Sequence, residues 1–275
     1  MRIQGKTPRV AVVLSVAVFL FAFSAACLAK LPVGLAGTWQ VTEVHVNTEA
    51  TWTMHYGWND PALRWRIFNF SDALVTADTP ESAQCEAPQA SITHVTLASL
   101  LGKSMAGGED AQERPTPIGY GFGKPPAKAL DVISLSCQGK FWQGGLGADG
   151  GLQGAWMYLA SDGHLVLRWY DETILVLDRL AADARPQASF DCSKAASPTE
   201  KAVCASLPLA AFDRSVAAAY KVARDEVKDD ADMTKQVVFA QKAWVHRRDA
   251  CGTDATCLLE SMKKRLGELA AVDQD

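Results

Sequence analysis

The side chains with the clearest chemistry in this chain are its seven cysteines, and the chemistry that they indicate is disulfide formation. Cys27 follows an apolar N-terminal run, and six further cysteines come after it: Cys85, Cys137, Cys192, Cys204, Cys251 and Cys257. An even number of cysteines in an exported chain is typical of a disulfide framework. We predict a Cys85–Cys137 bridge and two bridges among the last four cysteines. Of the three possible connectivities of those four, we favour the local pairs Cys192–Cys204 and Cys251–Cys257, because each brackets one short segment.

The sequence has no pattern of residues for catalysis or metal binding. The triplet Gly102-Lys103-Ser104 lacks the upstream glycine of a phosphate-binding loop, because position 97 is Leu97. Neither a Gly-x-Ser-x-Gly elbow nor a Cys-x-x-Cys motif occurs. The histidines are scattered, outside metal-ligand spacing, at His45, His55, His94, His164 and His246. Carboxylates are plentiful, but no two stand out as a glycosidase pair. We therefore expect no enzyme, no metal and no cofactor.

The N-terminus has the features of a secretory signal. It begins with a basic region that contains Arg2, Lys6 and Arg9. An apolar run over residues 10–26 and small residues follow, and the run is too short and wrongly flanked for a membrane anchor. We predict that residues 1–29 are a signal peptide, cleaved after Ala26 or Ala29, and that the mature protein is periplasmic or secreted.

A second interpretation of the same segment involves lipid attachment. Ser24-Ala25-Ala26-Cys27 has the form of a lipobox, with Ser24 at the position that leucine usually occupies. In this interpretation Cys27 carries a lipid and anchors the protein in the envelope, and the protein contacts a membrane only in that way.

Charge disfavours nucleic acid as a partner. The chain carries −4, which becomes −7 without the three basic residues of 1–29. Residues 30–186 carry −6 and residues 187–275 carry −1, so the acidity lies mainly on the first part. Nucleic-acid binding needs a basic face. An acidic exported protein suits a basic partner through electrostatic steering, and solubility alone is equally compatible with this charge.

Residues 31–180 have the pattern of an all-β domain. Alternating or β-branched runs occur at 39–46, 64–70, 132–137, 155–160, 164–170 and 173–177. We predict a barrel or sandwich, with a long surface loop over 102–128 because that segment is rich in Gly, Pro and charge. Gly37-Thr38-Trp39 at the start of the first strand resembles the Gly-x-Trp opening of lipocalin-like barrels.

Residues 189–272 have the pattern of a helical domain, joined through a linker at 181–188. Ser197-Pro198-Thr199-Glu200 combines a capping box with proline at the first helical position. Apolar residues then recur at three and four along three further segments. Short connections between such helices predict an antiparallel bundle. The expected fold class is α+β with two domains, an all-β barrel or sandwich followed by a disulfide-stapled antiparallel helical bundle.

Residues 189–269 resemble the LprI-like lysozyme-inhibitor domain of exported bacterial proteins. Besides the four cysteines, the resemblance is carried by Asp213, Arg214, Tyr220, Gln241, Trp244 and Arg248. Met262 stands where members of the family often have tyrosine, and both residues fill a core. The family motif implies structural or interaction roles for these residues. The resemblance does not extend to the β domain.

The leading hypothesis is an exported binding protein that inhibits a c-type lysozyme, a basic muramidase that an acidic protein would find quickly. One alternative is a carrier whose barrel binds a small apolar ligand in a cavity lined by Trp39, Phe68 and Trp169. Another is an envelope structural or interaction protein. For the motif residues, a scaffold role is the better expectation, because an aromatic at helical spacing usually faces inward. The sequence leaves the oligomeric state open.

Overall fold

The structure is a computed structural model. It describes residues 30–51, 54–81, 83–105, 115–124, 128–146 and 152–273. The predicted signal peptide, with Cys27, lies outside these residues.

Within the described residues, ten strands form one antiparallel sheet. They are β1 (Gly37–His45), β2 (Ile67–Phe70), β3 (Leu74–Ala77), β4 (Cys85–Glu86), β5 (Gln89–Val95), β6 (Leu130–Cys137), β7 (Lys140–Phe141), β8 (Trp156–Leu159), β9 (Leu165–Arg168) and β10 (Ile174–Arg179). The spatial order is β4-β3-β2-β1-β10-β9-β8-β6-β5, with β7 paired to β6. Neighbouring strands are mostly close in sequence, so short turns make most of the connections.

The concave face of the sheet holds the main core. Side chains alternate across each strand, so that Leu165 and Leu167 face this core while Val166 faces the other side. Aromatic rings fill the interior. Phe68 meets the edge of Trp169 at 5.1 Å between ring centres, and Trp142 lies 5.7 Å from Trp169. The sheet is therefore a packed half-barrel.

A disulfide ties the two ends of the sheet together. β4 is the first strand of the spatial order and β6 is the last but one, yet Cys85 and Cys137 are bonded, with their Cα atoms 5.3 Å apart. The bridge is only possible because the sheet curls until these strands meet. The predicted β-barrel-like architecture is confirmed in this curled form.

The outer face of the sheet is covered by a helix that the sequence did not predict. Helix α1 (Leu97–Ser104) begins at the N-cap Thr96 and buries Leu100 and Leu101 against the sheet. It extends into the segment expected to be a surface loop. Tyr120, further along that segment, is also fully buried. The prediction of a loop from residue 102 was therefore wrong at its start, and the loop is not entirely on the surface.

Four helices make the C-terminal half among the residues described there: α2 (Pro198–Cys204), α3 (Leu207–Glu226), α4 (Ala231–Asp249) and α5 (Ala255–Ala270). Each begins at a residue whose side chain accepts from the first turn, namely Ser197, Ser206, Asp230 and Asp254. The predicted capping box of Ser197 and Glu200 is present. Helix α3 packs on the other three, and their apolar faces form one core. The predicted helical, disulfide-stapled C-terminal half is confirmed.

In the part of the chain that the structure describes, no single helix is long and apolar enough to cross a membrane, although α2 and α3, bent by 108°, pass that test as a pair by length and composition.

Candidate functional site

The helical half contains two disulfides, one at its start and one between α4 and α5. Cys192, in a short 3₁₀ turn, is bonded to Cys204 at the end of α2, with a Cα–Cα distance of 5.7 Å. Cys251 is bonded to Cys257 across the turn between α4 and α5, at 5.6 Å. The bridges are thus local, and they hold the connections between helices in place.

Asp213 and Arg248 tie two helices and the incoming chain together. The Asp213 carboxylate is buried on α3, where Oδ2 accepts from the backbone N–H of Ser189 at 2.7 Å. Its Oδ1 lies 3.7 Å from Nη1 of Arg248 on α4. Arg248 also donates to Asp249 at 2.8 Å. A buried carboxylate needs such partners, so this arrangement is a structural one.

Trp244 and Gln241 lie at the contact of α4 with α5. Trp244 is only 4% exposed, and its indole N–H donates to the Ser261 hydroxyl at 3.1 Å. Gln241 accepts from the Arg265 guanidinium at 2.9 Å. Trp244 is thus buried, and Gln241 is partly buried in the same contact. These positions support the interpretation of the motif as scaffold.

Arg214 and Tyr220 lie at different places on α3. The Arg214 guanidinium stacks over the ring of Trp65, 4.5 Å from its centre, and so contacts the sheet half. Burial, and then the charge of nearby Arg64, lower the pKa of Arg214. Tyr220 is half-buried against the helical core, with Arg224 5.8 Å from its ring centre. The six motif residues therefore do not converge on one site.

A groove lies where the loop before β2 meets the helices, and the sequence did not predict it. Its volume is about 690 Å³. One wall is the loop 54–62, and the other is formed by the second half of α3 and the last turn of α5. Glu226, at the end of α3, is part of the helical wall. The other residues of that wall are apolar: Ala219, Val222, Ala223, Leu266, Leu269 and Ala270. Both halves of the chain are needed to form it.

Trp58 is the most prominent aromatic side chain of the groove, and it is 43% exposed. Its ring stacks on His45 at 4.3 Å between ring centres, with an angle of 18° between the planes. Gly121 lies against the same ring: a Cβ atom there would come within 2.5 Å of the Trp58 ring. These contacts fix the orientation of the indole while much of it stays accessible.

Carboxylates surround the loop wall of the groove. Tyr56 is buried there, and its hydroxyl donates to Glu81 at 2.5 Å. The pKa of Tyr56 is raised by burial first, then by the hydrogen bond to Glu81 and by the charges of Glu81, Asp60 and Asp171. The second oxygen of Glu81 accepts from the Trp169 indole at 2.9 Å. Two carboxylates, Glu81 and Asp171, thus contact Tyr56 behind this wall, since Asp171 accepts from the Tyr56 backbone N–H at 2.9 Å.

The charges that line the groove have one sign. Among its described lining residues, Asp60 and Glu226 are acidic and none is lysine or arginine. Asp60 accepts from the backbone of Gly57 and Ala62, which fixes the turn that carries Trp58. One signal in the sequence points to this site, namely an aromatic residue inside the turn-forming run Gly57-Trp58-Asn59-Asp60.

The interior of the half-barrel offers the carrier hypothesis no support. Trp39, Phe68 and Trp169, expected to line its cavity, are each at most 1% exposed and pack into the main core. Trp39 donates its indole N–H to the carbonyl of Leu35 at 2.9 Å, and Arg179 stacks over its ring. The described residues show no group of His, Cys, Asp or Glu that could hold a metal ion.

Comparison with known proteins finds similarity in the helical half. Residues 192–269 match the family model described as "Lysozyme inhibitor LprI". Proteins named Lipoprotein LprI, from Mycobacterium bovis and Mycobacterium tuberculosis, are 30% identical to this chain over 119 residues. The aligned part covers 39% of this chain and 58% of each relative. No solved structure matches the chain significantly. The predicted resemblance to the LprI-like domain is thereby confirmed for this segment.

Proposed function

We propose that the protein is an exported inhibitor of lysozyme that acts by binding and without chemistry of its own. One observation carries the proposal: the match of residues 192–269 to the lysozyme-inhibitor family model. The absence of a legible catalytic pattern in the sequence is consistent with an inhibitor. The relatives named Lipoprotein LprI support the proposal, and the alignment spans 58% of their length.

The proposed target is a c-type lysozyme. These enzymes are basic, and the chain without residues 1–29 carries −7. Opposite charges raise the rate of encounter and favour the correct partner over neutral ones. Because most of the acidity lies on residues 30–186, the sheet half is proposed to steer the encounter.

The proposed location is the cell envelope. The relatives are named lipoproteins, and Cys27 of this chain follows a lipobox-like run. Lipid on Cys27 would hold the inhibitor at the surface that lysozyme attacks. The disulfides of both halves suit an oxidising compartment.

A cell-wall lysis assay tests the proposal. Turbidity loss of a bacterial cell-wall suspension is followed with c-type lysozyme and increasing amounts of residues 30–275. We expect lysis to slow at molar ratios near one. The matched control is the same chain reduced and alkylated, which keeps all acidic residues but loses the three bridges. Parallel assays with g-type and i-type lysozymes define the target class. Unchanged lysis at a several-fold molar excess would refute the proposed function.

A further inference from the structure

The groove combines three properties that select one kind of occupant. Its described lining is mostly apolar, its charged residues are Asp60 and Glu226, and Trp58 presents an oriented, accessible indole. An occupant must therefore carry an apolar stem and a positive head. Among protein side chains, arginine and lysine have this form, since their methylene chains bury on apolar surface while the head keeps its charge.

We propose that this groove is the docking site for an arginine or lysine side chain on the surface of lysozyme. The inference rests on the proposed function and adds the site and the chemistry of contact. The cation would lie over the Trp58 ring, with the carboxylates of Asp60 and Glu226 beside it. Cation–π contact with tryptophan is the most favourable of its kind, and it strengthens when water is excluded.

The electrostatic environment favours a cation at the loop wall. Asp60 and Glu226 are in the groove lining, and Glu81 and Asp171 lie behind the loop, where they accept from the hydroxyl and the backbone N–H of Tyr56. Among the described residues that line the groove, there is no lysine or arginine to neutralise these carboxylates. A cation from a partner therefore gains from several carboxylates at once, which is the complementarity expected of a binding site for a basic protein.

The groove is also rigid enough to act as an anchor point. The orientation of Trp58 is fixed by His45 and by the close approach of Gly121, while Asp60 fixes the turn that carries it. Preformed aromatic pockets of this kind dominate the binding energy of protein interfaces, because little freedom is lost when the partner binds. The groove needs both halves of the chain, so the helical segment alone would lack it.

Charge reversal at one position tests the site with a matched control. Glu226→Lys places a cation in the groove at an exposed helix end, where the fold does not depend on it. Asp229→Lys makes the same change in net charge three residues further on, outside the groove lining. Both variants therefore alter long-range steering equally. Calorimetric titration of residues 30–275 with c-type lysozyme measures the dissociation constant for each.

We expect Glu226→Lys to weaken binding about tenfold or more, as loss of an interface hot spot does. Asp229→Lys should weaken it by less than about threefold, because only screened, distant charge is altered. Trp58→Ala should resemble Glu226→Lys, and Trp58→Phe should restore part of the affinity. Circular dichroism establishes that each variant is folded.

The outcomes separate the docking site from the proposed function. Binding without inhibition would refute the function but leave the comparison of Glu226→Lys with Asp229→Lys decisive for the site. Equal affinities for those two variants would overturn the docking site while inhibition stands. The absence of any binding would overturn both. Self-association of residues 30–275, measured by sedimentation and abolished by Trp58→Ala, would show that a second copy occupies the groove and would also overturn the proposal.

Discussion

The guanidinium carbon of Arg66 lies 3.4 Å from the centre of the Phe212 ring, and this contact joins the sheet to helix α3. Arg66 is fully buried just before β2, and its Nη2 donates to the hydroxyl of Ser215 at 2.8 Å. Ser215 in turn donates to the carbonyl oxygen of Arg64 at 3.2 Å. Burial lowers the pKa of Arg66 to about 10, with the charge of Asp78 opposing this. The two halves of the chain therefore share a buried polar contact.

Removal of the Arg66 side chain should destabilise the fold. We expect Arg66→Ala to lower the free energy of unfolding by about 3 kcal/mol, because it empties a buried site and leaves Asp78 without its cation. Arg214→Ala is the matched control, since Arg214 also stacks on an aromatic ring across this interface but is only partly buried. Arg214→Ala should lower the free energy of unfolding by about 1 kcal/mol or less, which is the value of an exposed cation–π contact. Urea unfolding measures both, and equal losses would contradict the assigned role of Arg66.

Asp78 should make the stability depend on pH in a defined direction. Burial raises its pKa, with Arg66 partly opposing the effect. Above the ordinary aspartate pKa of about 3.9, Asp78 releases its proton in the unfolded chain but keeps it in the folded chain. The contribution of Asp78 to the free energy of unfolding therefore falls as pH rises. Asp78→Asn does not titrate and keeps the acceptor for the Ile67 amide. We expect the variant to gain stability relative to wild type as pH rises above about 4, the ordinary pKa of an aspartate. Urea unfolding at several pH values provides the measurement, and a difference that moves the other way would refute the prediction.

The three disulfides should contribute unequally. They join residues 52, 12 and 6 positions apart. Closing a longer loop removes more entropy from the unfolded chain, so paired Cys→Ala variants should lose about 4, 3 and 2 kcal/mol in that order. Guanidinium unfolding of the three variants gives the ranking. A larger loss for Cys251 and Cys257 than for Cys85 and Cys137 would show that loop closure does not dominate.

The interpretation of Trp244 as scaffold makes its own prediction. Trp244→Ala should lower the free energy of unfolding by about 3–5 kcal/mol, because it removes a large buried ring. Phe239→Ala is the control on the same helix, because Phe239 is 75% exposed. Its effect should remain within about 0.5 kcal/mol. Thermal unfolding of both variants is the measurement, and a small loss for Trp244→Ala would mean that the ring does not support the bundle.

Salt should slow the association with lysozyme if charge steers it. The screening length falls from about 10 Å at 0.1 M to about 3 Å at 1 M ionic strength. We expect the association rate constant to fall steeply over this range and the dissociation rate constant to change little. Stopped-flow fluorescence with residues 30–275 measures both. A salt-independent association rate would remove steering from the mechanism.

The C-terminal helices were predictable because their signals are local. One of the three segments with apolar residues at three and four runs from Leu209 to Val227 and corresponds to α3, and Ser197 with Glu200 marks the start of α2. The six predicted β runs correspond to β1, β2, β6, β8, β9 and β10, whereas β3, β4, β5 and β7 were not predicted. The run from Arg64 gives a strand only from Ile67, because Trp65 has a φ of 67°. A positive φ at a tryptophan is set by tertiary contacts, which no local pattern encodes.

The groove and the buried contact at Arg66 were not predictable, for a physical reason. Arg66 and Ser215 are 149 positions apart, and Trp58 and Glu226 are brought together only when the sheet meets α3. Periodicity reports which face of an element is apolar, but not which other element covers it. Helix α1 was missed because its eight residues run into a stretch rich in glycine and charge.

If the protein is exported, as proposed, the Cys85–Cys137 bridge bears on when its folding is completed. Thiols stay reduced in a bacterial cytosol, so the bond between β4 and β6 would close only after translocation. Before that, packing alone would hold the ends of the sheet, and the chain would lack about 4 kcal/mol of its final stability. A less stable precursor would unfold more readily for passage through a secretion channel, and closure of the bridge would then stabilise the fold after translocation.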